Sequence, residues 1–397
     1  MIRLSIAKWF WFEGGQYMIY FDNSATTKPY KEVLDSFVMV SSEYFGNPSS
    51  LHGIGGQAEK LLSQSRAQVA KLLAVKPTEI FFTSGGTESN NMAIKGAAMQ
   101  HKNRGRHIIT TRIEHDSVSA AIEQLEQNGF DITSLPVDKV GRVSVDDVKS
   151  AIREDTILVS IMHVNNEVGT IQPIDEIGEL LKEYPSILFH VDIVQSIGKV
   201  PLSLRENRID LCSISSHKFH GLKGTGAIFI REGVRLAPLF SGGSQEQKYR
   251  SGTQNVAGAV AMAKALRMTL AKCSSGIEKM KKINELLRDG LAGMENVYIH
   301  TPVHGSAPHI LNFSIQGVKS EVFIHALEDK GIYVSTTSAC SSKRSLPSKT
   351  LIAMGVSREL ASSAIRVSLS FQNTVEEAQI VLKAIEEAAN HLRKVRK

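Results

Sequence analysis

The run Ile187-Leu188-Phe189-His190-Val191-Asp192, then Ile209-Asp210-Leu211-Cys212-Ser213-Ile214 and Ser215-Ser216-His217-Lys218-Phe219-His220-Gly221, decides how this chain is read. Two apolar runs of strand length end, one in an acid and the other in a turn that carries a lysine. Continuous apolar runs are expected of strands covered on both faces. Ligands of open α/β sheets bind at the carboxyl ends of such strands. An amine and a carboxylate held there are what pyridoxal 5′-phosphate requires. The amine forms a Schiff base, and the carboxylate keeps the pyridine nitrogen protonated.

The same rhythm extends outward from about Lys28 to Ala271. Further strands are expected at 80–82, 107–111, 156–162 and 226–230, with amphipathic helices between them, such as 57–74 and 118–127. Strands alternating with helices predict an α/β fold with a mostly parallel sheet. The pattern then changes. Long helices at 255–270 and 275–294 precede a strand at 310–314, a helix at 321–330, a Ser/Thr-rich loop, a strand at 365–370 and a helix at 375–395. This order predicts a second, smaller α+β domain at 272–397 after a large domain at 28–271.

Composition excludes several classes. With 42% hydrophobic and 22% charged residues, the chain of 397 is that of an ordinary soluble globular protein. No run is long enough to cross a membrane. Cys212, Cys273 and Cys340 share no metal-like spacing and build no disulfide framework, so a reducing cytoplasm is the expected setting and no metal site is expected. The net charge of +6 gathers in the tail His391-Leu392-Arg393-Lys394-Val395-Arg396-Lys397. There it reads as a solvated helix end whose cations complement the dipole, or as a weak patch for tRNA or an acidic partner. Residues 1–17 carry both tryptophans, Trp9 and Trp11, without usable periodicity. Lys8 spoils a secretory signal, and the codons implied by Glu13 to Tyr17 resemble a ribosome-binding site, so Met18 is the expected start.

Several stretches carry polar groups to the expected strand ends. Thr83-Ser84-Gly85-Gly86-Thr87-Glu88-Ser89-Asn90 follows a strand and opens a helix, where amides and a helix N-terminus suit a phosphate. The glycine spacing fits neither a dinucleotide fingerprint nor a Walker loop, and a plain capped turn is the competing reading. His115 follows the strand at 107–111, and Asn165-Asn166-Glu167-Val168-Gly169 follows that at 156–162. A helix N-cap is the competing reading of Asp192, with Gln195 three residues on, and a surface lysine is that of Lys218. Four polar groups at the mouths of four strands favour a common site.

These blocks, with Tyr20-Phe21-Asp22-Asn23-Ser24-Ala25-Thr26-Thr27, Phe45-Gly46-Asn47-Pro48-Ser49-Ser50-Leu51-His52, Arg250-Ser251-Gly252-Thr253 and Ser338-Ala339-Cys340, stand in one order. Together they resemble the cysteine desulfurases (NifS/IscS-like) of the class V aminotransferase group, over nearly the whole length from Met18. The resemblance implies a fold-type-I pyridoxal-phosphate homodimer that converts L-cysteine to L-alanine, with residues 18–27 packed on the small domain. Lys218 matches the cofactor-binding lysine that later moves the α-proton. Asp192 matches the partner of the pyridine nitrogen, Gln195 and Asn166 match groups near the phenolic oxygen, and His115 matches the imidazole stacked on the ring. Gly86, Thr87, Ser215 and His217 match phosphate contacts, and Thr253 matches one donated by the neighbouring subunit. Arg366 matches the arginine that binds the substrate carboxylate beside Asn166.

Cys340 matches the cysteine that attacks the substrate sulfur and carries it as a persulfide. It sits in a small, polar segment at about 333–348, where Lys343 and Arg344 favour the thiolate. Family members that serve the iron–sulfur scaffold carry a further C-terminal extension, whereas this chain ends at Lys397. That ending leaves room for a dedicated acceptor, so the expected acceptor is a tRNA-thiolating enzyme or an Fe-S scaffold, with no direct nucleic-acid binding. The rival readings are a selenocysteine lyase, a class V aminotransferase, which needs no Cys340, and a non-catalytic sulfur-relay or regulatory protein.

Overall fold

The protein is described by a computed structural model at residues 18–336 and 347–395; Cys340, Lys343 and Arg344 lie outside the described residues. Strand β1 is Ile19–Tyr20. A seven-stranded sheet comprises β2 (Ile80–Thr83), β3 (His107–Thr111), β4 (Asp131–Leu135), β5 (Thr156–Met162), β6 (Leu188–Asp192), β7 (Leu211–Ser215) and β8 (Gly226–Ile230). Its order is β2-β8-β7-β6-β5-β3-β4. Every pairing is parallel except the two made by β8. Residues 216–225 are too few for the crossover of roughly a dozen that a parallel return needs, so β8 comes back antiparallel beside β7.

The expected strands are present to within two residues at each end. β4 was not among them. It is an edge strand bonded to β3 alone, half-exposed and polar at Thr133 and Ser134, so it lacks the apolar run that marks a central strand.

Alternate side chains of the central strands enter opposite layers. Phe189 and Val191 of β6 and Val159 and Ile161 of β5 pack with Ala261, Met262, Ala265 and Leu266 of the helix Val256–Ala271. Leu188, Leu158, Leu211 and Ile228 pack on the other face with Met92, Ala93, Ile94 and Ala97 of the helix Gly86–His101.

A second core lies on an antiparallel sheet ordered β12-β13-β10-β9. Its strands are β9 (Val297–Ile299), β10 (Ile310–Ile315), β12 (Ser335–Thr336) and β13 (Ala364–Ser368), and β11 (Ile332–Tyr333) pairs in parallel with β1. Helices Cys273–Ala292 and Val375–Val395 cover it, with Met280, Leu287, Val381 and Ile385 against Leu311, Phe313, Ile365 and Val367. Phe21, just after β1, is buried in the same core. Among the described residues, no helix is long and apolar enough to cross a membrane.

Phe189 is fully buried, so Phe189→Ala should lower the free energy of urea unfolding by about 3–5 kcal/mol; a loss below about 1 kcal/mol would contradict this packing.

Candidate active site

Four neighbouring parallel strands, β7, β6, β5 and β3, present their carboxyl ends side by side. Asp192 closes β6, opposite Ser213 of β7. Lys218 ends the single turn Ser216–Lys218 that follows β7. Asn166 lies in the turn after β5, and His115 caps the helix Asp116–Glu126 after β3. The loop after β2, on the other side of β8, opens the helix Gly86–His101.

These ends enclose a cavity of about 220 Å³. Gly86, Thr87, His115, Asn166, Asp192, Gln195, Ser215, His217 and Lys218 all line it. Thr253 does not: within one chain it lines a separate cavity with Thr83, Glu246 and Arg250. Arg366 is not part of this lining; its guanidinium donates to the carbonyl of Asn166, which is, at 2.8 Å, and to Asp22 Oδ1 at 3.0 Å. Burial pushes the Asp22 carboxyl up, against the opposing pull of Arg366 and Lys218. Arg366 Nε is buried with no protein partner, in keeping with a donor kept for a small polar ligand.

The Lys218 amine donates to the main-chain carbonyls of Ser24 and Ala25, the latter at 2.9 Å. Asp192 accepts from Asn90 Nδ2 at 2.8 Å and from the Val194 N–H at 2.9 Å. Gln195 is held by the Ser24 carbonyl at 3.0 Å, while its Oε1 is buried and unpartnered. Burial first, then the charges of Lys218, Lys223 and Lys199, push His217 down to about 4, so it is neutral at physiological pH.

The lining fits pyridoxal phosphate. Gly85, at φ +150°, holds a conformation that favours glycine, and a Cβ on Gly86 would come within 2.9 Å of Val194 Cγ2. The loop therefore brings bare backbone to the helix start, where amide groups meet an anion. Ser215 and His217 add polar side chains, and Asp192 and Lys218 place a carboxylate and an amine on the same lining, the groups that could hold a ring nitrogen and an aldehyde.

Sequence reasoning missed four groups. Asn90 and Ser117 connect Asp192 to His115; Asn90 stands in the glycine-rich stretch, but helical register alone does not say which side chain turns inward. Lys199 is 5% exposed and donates to the Lys218 carbonyl at 3.1 Å. Burial, then the nearby Lys218 charge, push its amine down to about 7. Glu114 accepts from Thr111 Oγ1 at 2.7 Å and from the Met162 N–H at 3.0 Å. Burial pushes its carboxyl up to about 8. Cys212 is buried on β7, and burial raises its thiol well above the ordinary range, so it stays a protonated core side chain.

A sheet of this order with a lysine and an acid at adjoining strand ends defines a pyridoxal-phosphate type of enzyme. The family model for aminotransferase class-V matches residues 19–381. The chain is 49% identical to a NifS/IcsS protein homolog of Lactobacillus delbrueckii subsp. bulgaricus, covering 95% of this chain and 99% of that protein. It is 44% identical to the cysteine desulfurase IscS of Dictyoglomus turgidum, covering 95% and 96%. A solved NifS-like protein superposes with a TM-score of 0.90 at 42% identity, covering 95% of this chain and 100% of that one. The chain belongs to the class-V aminotransferase family, in its cysteine desulfurase (IscS/NifS-like) branch.

Glu114 generates a pH prediction. Its folded value lies above the usual carboxyl range, so its contribution is fully present at acid pH and is lost as pH rises towards about 8. Between the ordinary carboxyl range and that value, wild-type stability in urea should fall more steeply than that of Glu114→Gln. Parallel pH profiles would show instead that the carboxyl ionises normally in the fold.

Proposed function

We propose that this cysteine desulfurase takes L-cysteine to L-alanine and holds the sulfur as a persulfide on Cys340 for delivery to an acceptor. The observation that carries the reading is the convergence of Lys218, Asp192 and His115 on one cavity, in a chain whose relatives are named cysteine desulfurases. Pyridoxal phosphate, when bound, supplies an electron sink for the carbon skeleton of the substrate. Lys218 holds it covalently and, once freed, takes the substrate α-proton on Nζ. Asp192 keeps the ring nitrogen protonated, and Gln195 and Asn166 serve the phenolic side.

Gly86, Thr87, Ser215 and His217 hold the phosphate, joined by Thr253 of a second copy of the chain in a homodimer. The separate position of Thr253 within one chain supports that assignment. Arg366 binds the substrate carboxylate through its planar fork, oriented by Asp22 and the Asn166 carbonyl. His115, which lines the same cavity, would pack against the cofactor ring.

The Cys340 thiolate attacks the substrate sulfur. An S–S bond forms as the Cβ–S bond breaks, the electron pair stays with the carbon skeleton, and Cβ takes up a proton. Substrate and thiol thus become L-alanine and a persulfide with no external oxidant. The setting is the cytoplasm, and the acceptor is a tRNA-thiolating enzyme or an iron–sulfur scaffold.

Cys340→Ala should keep the cofactor absorbance while alanine formation from cysteine falls by more than about a hundredfold. Normal release of alanine and sulfur from that variant would move the reading to a lyase. Borohydride reduction of the holoenzyme should leave the cofactor on the Lys218 peptide, and an unmodified Lys218 would overturn the assignment of the site.

A further inference from the structure

Between Asp192 and His115 runs a short chain of hydrogen bonds whose polarity is fixed at every link. Asp192 accepts the Val194 N–H on Oδ1 and an Asn90 side-chain hydrogen on Oδ2, at 2.8 Å, so Asn90 turns its NH2 group towards it. The same Nδ2 lies 2.8 Å from Ser117 Oγ, which therefore accepts the second Asn90 hydrogen. The Ser117 hydroxyl proton is then left to point at His115 Nδ1, 2.8 Å away. Nδ1 also accepts the Ser117 main-chain N–H at 3.1 Å, as the cap of the helix Asp116–Glu126. A ring nitrogen that accepts from two donors carries no proton. Asn90 is 1% and Ser117 9% exposed, so water competes poorly for these bonds.

We propose that Asn90 and Ser117 are positioning residues that transmit the carboxylate of Asp192 to His115 and lock its ring with the proton on Nε2. The inference rests on the reading above, in which Asp192 and His115 face the cofactor. Its chemical consequence is specific. In the resting enzyme His115 offers Nε2 as a hydrogen-bond donor, and that nitrogen has no lone pair with which to act as a base. His115 then orients and stabilises negative charge, and the α-proton falls to Lys218. For Nε2 to accept a proton, the ring proton must first move to Nδ1, which displaces the Ser117 hydroxyl proton and the Ser117 main-chain N–H from that nitrogen.

The test is nitrogen-15 NMR of histidine-labelled holoenzyme, at a pH well above the ordinary histidine range, with the His115 signals assigned by their loss in His115→Gln. The wild type should show a ring protonated at Nε2. Ser117→Ala keeps the main-chain donor but loses the hydroxyl, so the ratio of the Nε2–H to the Nδ1–H form should fall by about fivefold, the weight of one hydrogen bond. Asn90→Ala should lower the ratio in the same direction, and Ser117→Thr, which keeps a hydroxyl, should restore it. An Nδ1–H ring in the wild type, or an unchanged ratio in both Ser117→Ala and Asn90→Ala, would overturn the proposal. Borohydride trapping at Lys218 separates the two readings. Trapping with the wrong tautomer sinks only the hydrogen-bond chain, while the expected tautomer without trapping sinks the cofactor assignment and leaves the chain of bonds intact.

Discussion

A sheet covered on both faces by helices has no room for polar chemistry except at its strand ends. Every other consequence follows from that constraint. Strands β5, β6 and β7 are buried along their whole length, so ionisable groups there must be paired or neutral. His190 illustrates the neutral case: it lies in mid-strand on β6, bonded to Ser160 and Ser213, and burial pushes it down to about 3. Two residues on, at the end of the same strand, Asp192 meets the cavity and takes up a role that mid-strand burial would forbid.

The neighbourhood of the cavity is held by main-chain groups as much as by side chains. The segment Ser24–Ala25 presents carbonyls to Lys218 and Gln195, and Asp22 holds Arg366. That segment is fixed in turn by β1 pairing with β11 and by Phe21 in the second core. Glu167 ties the second unit to the turn after β5, accepting from Thr350 Oγ1 at 3.0 Å and from Ser348. Groups far apart in sequence thus set the geometry of one amine and one guanidinium.

Much of this was legible in the chain. The runs ending at Asp192 and Ser215 announce central strands, because burial on both faces favours stretches such as Leu211–Ser215, all apolar or small, and 187–191, apolar except for His190. Glycines before a helix announce tight space beside the backbone, and a Cβ on Gly86 would meet Val194 Cγ2 at 2.9 Å. Other features were hidden for physical reasons. β4 sits on an edge, half in water, and needs no apolar run. The inward turn of Asn90 depends on a partner, Ser117, that only the packing of two helices brings near. Lys199 looks like any lysine until the fold closes over it.

By itself, the sequence determined the element types and the strand ends that carry chemistry, because hydrophobic period and turn residues act over a few neighbouring positions. Which strands lie side by side was decided by the tertiary structure, since adjacency depends on crossover length and on which apolar faces meet. That ordering, β7-β6-β5-β3, is what converts four scattered polar residues into one cavity. The same distinction separates Thr253, which the fold of one chain keeps apart, from Lys218 and Asp192, which it joins.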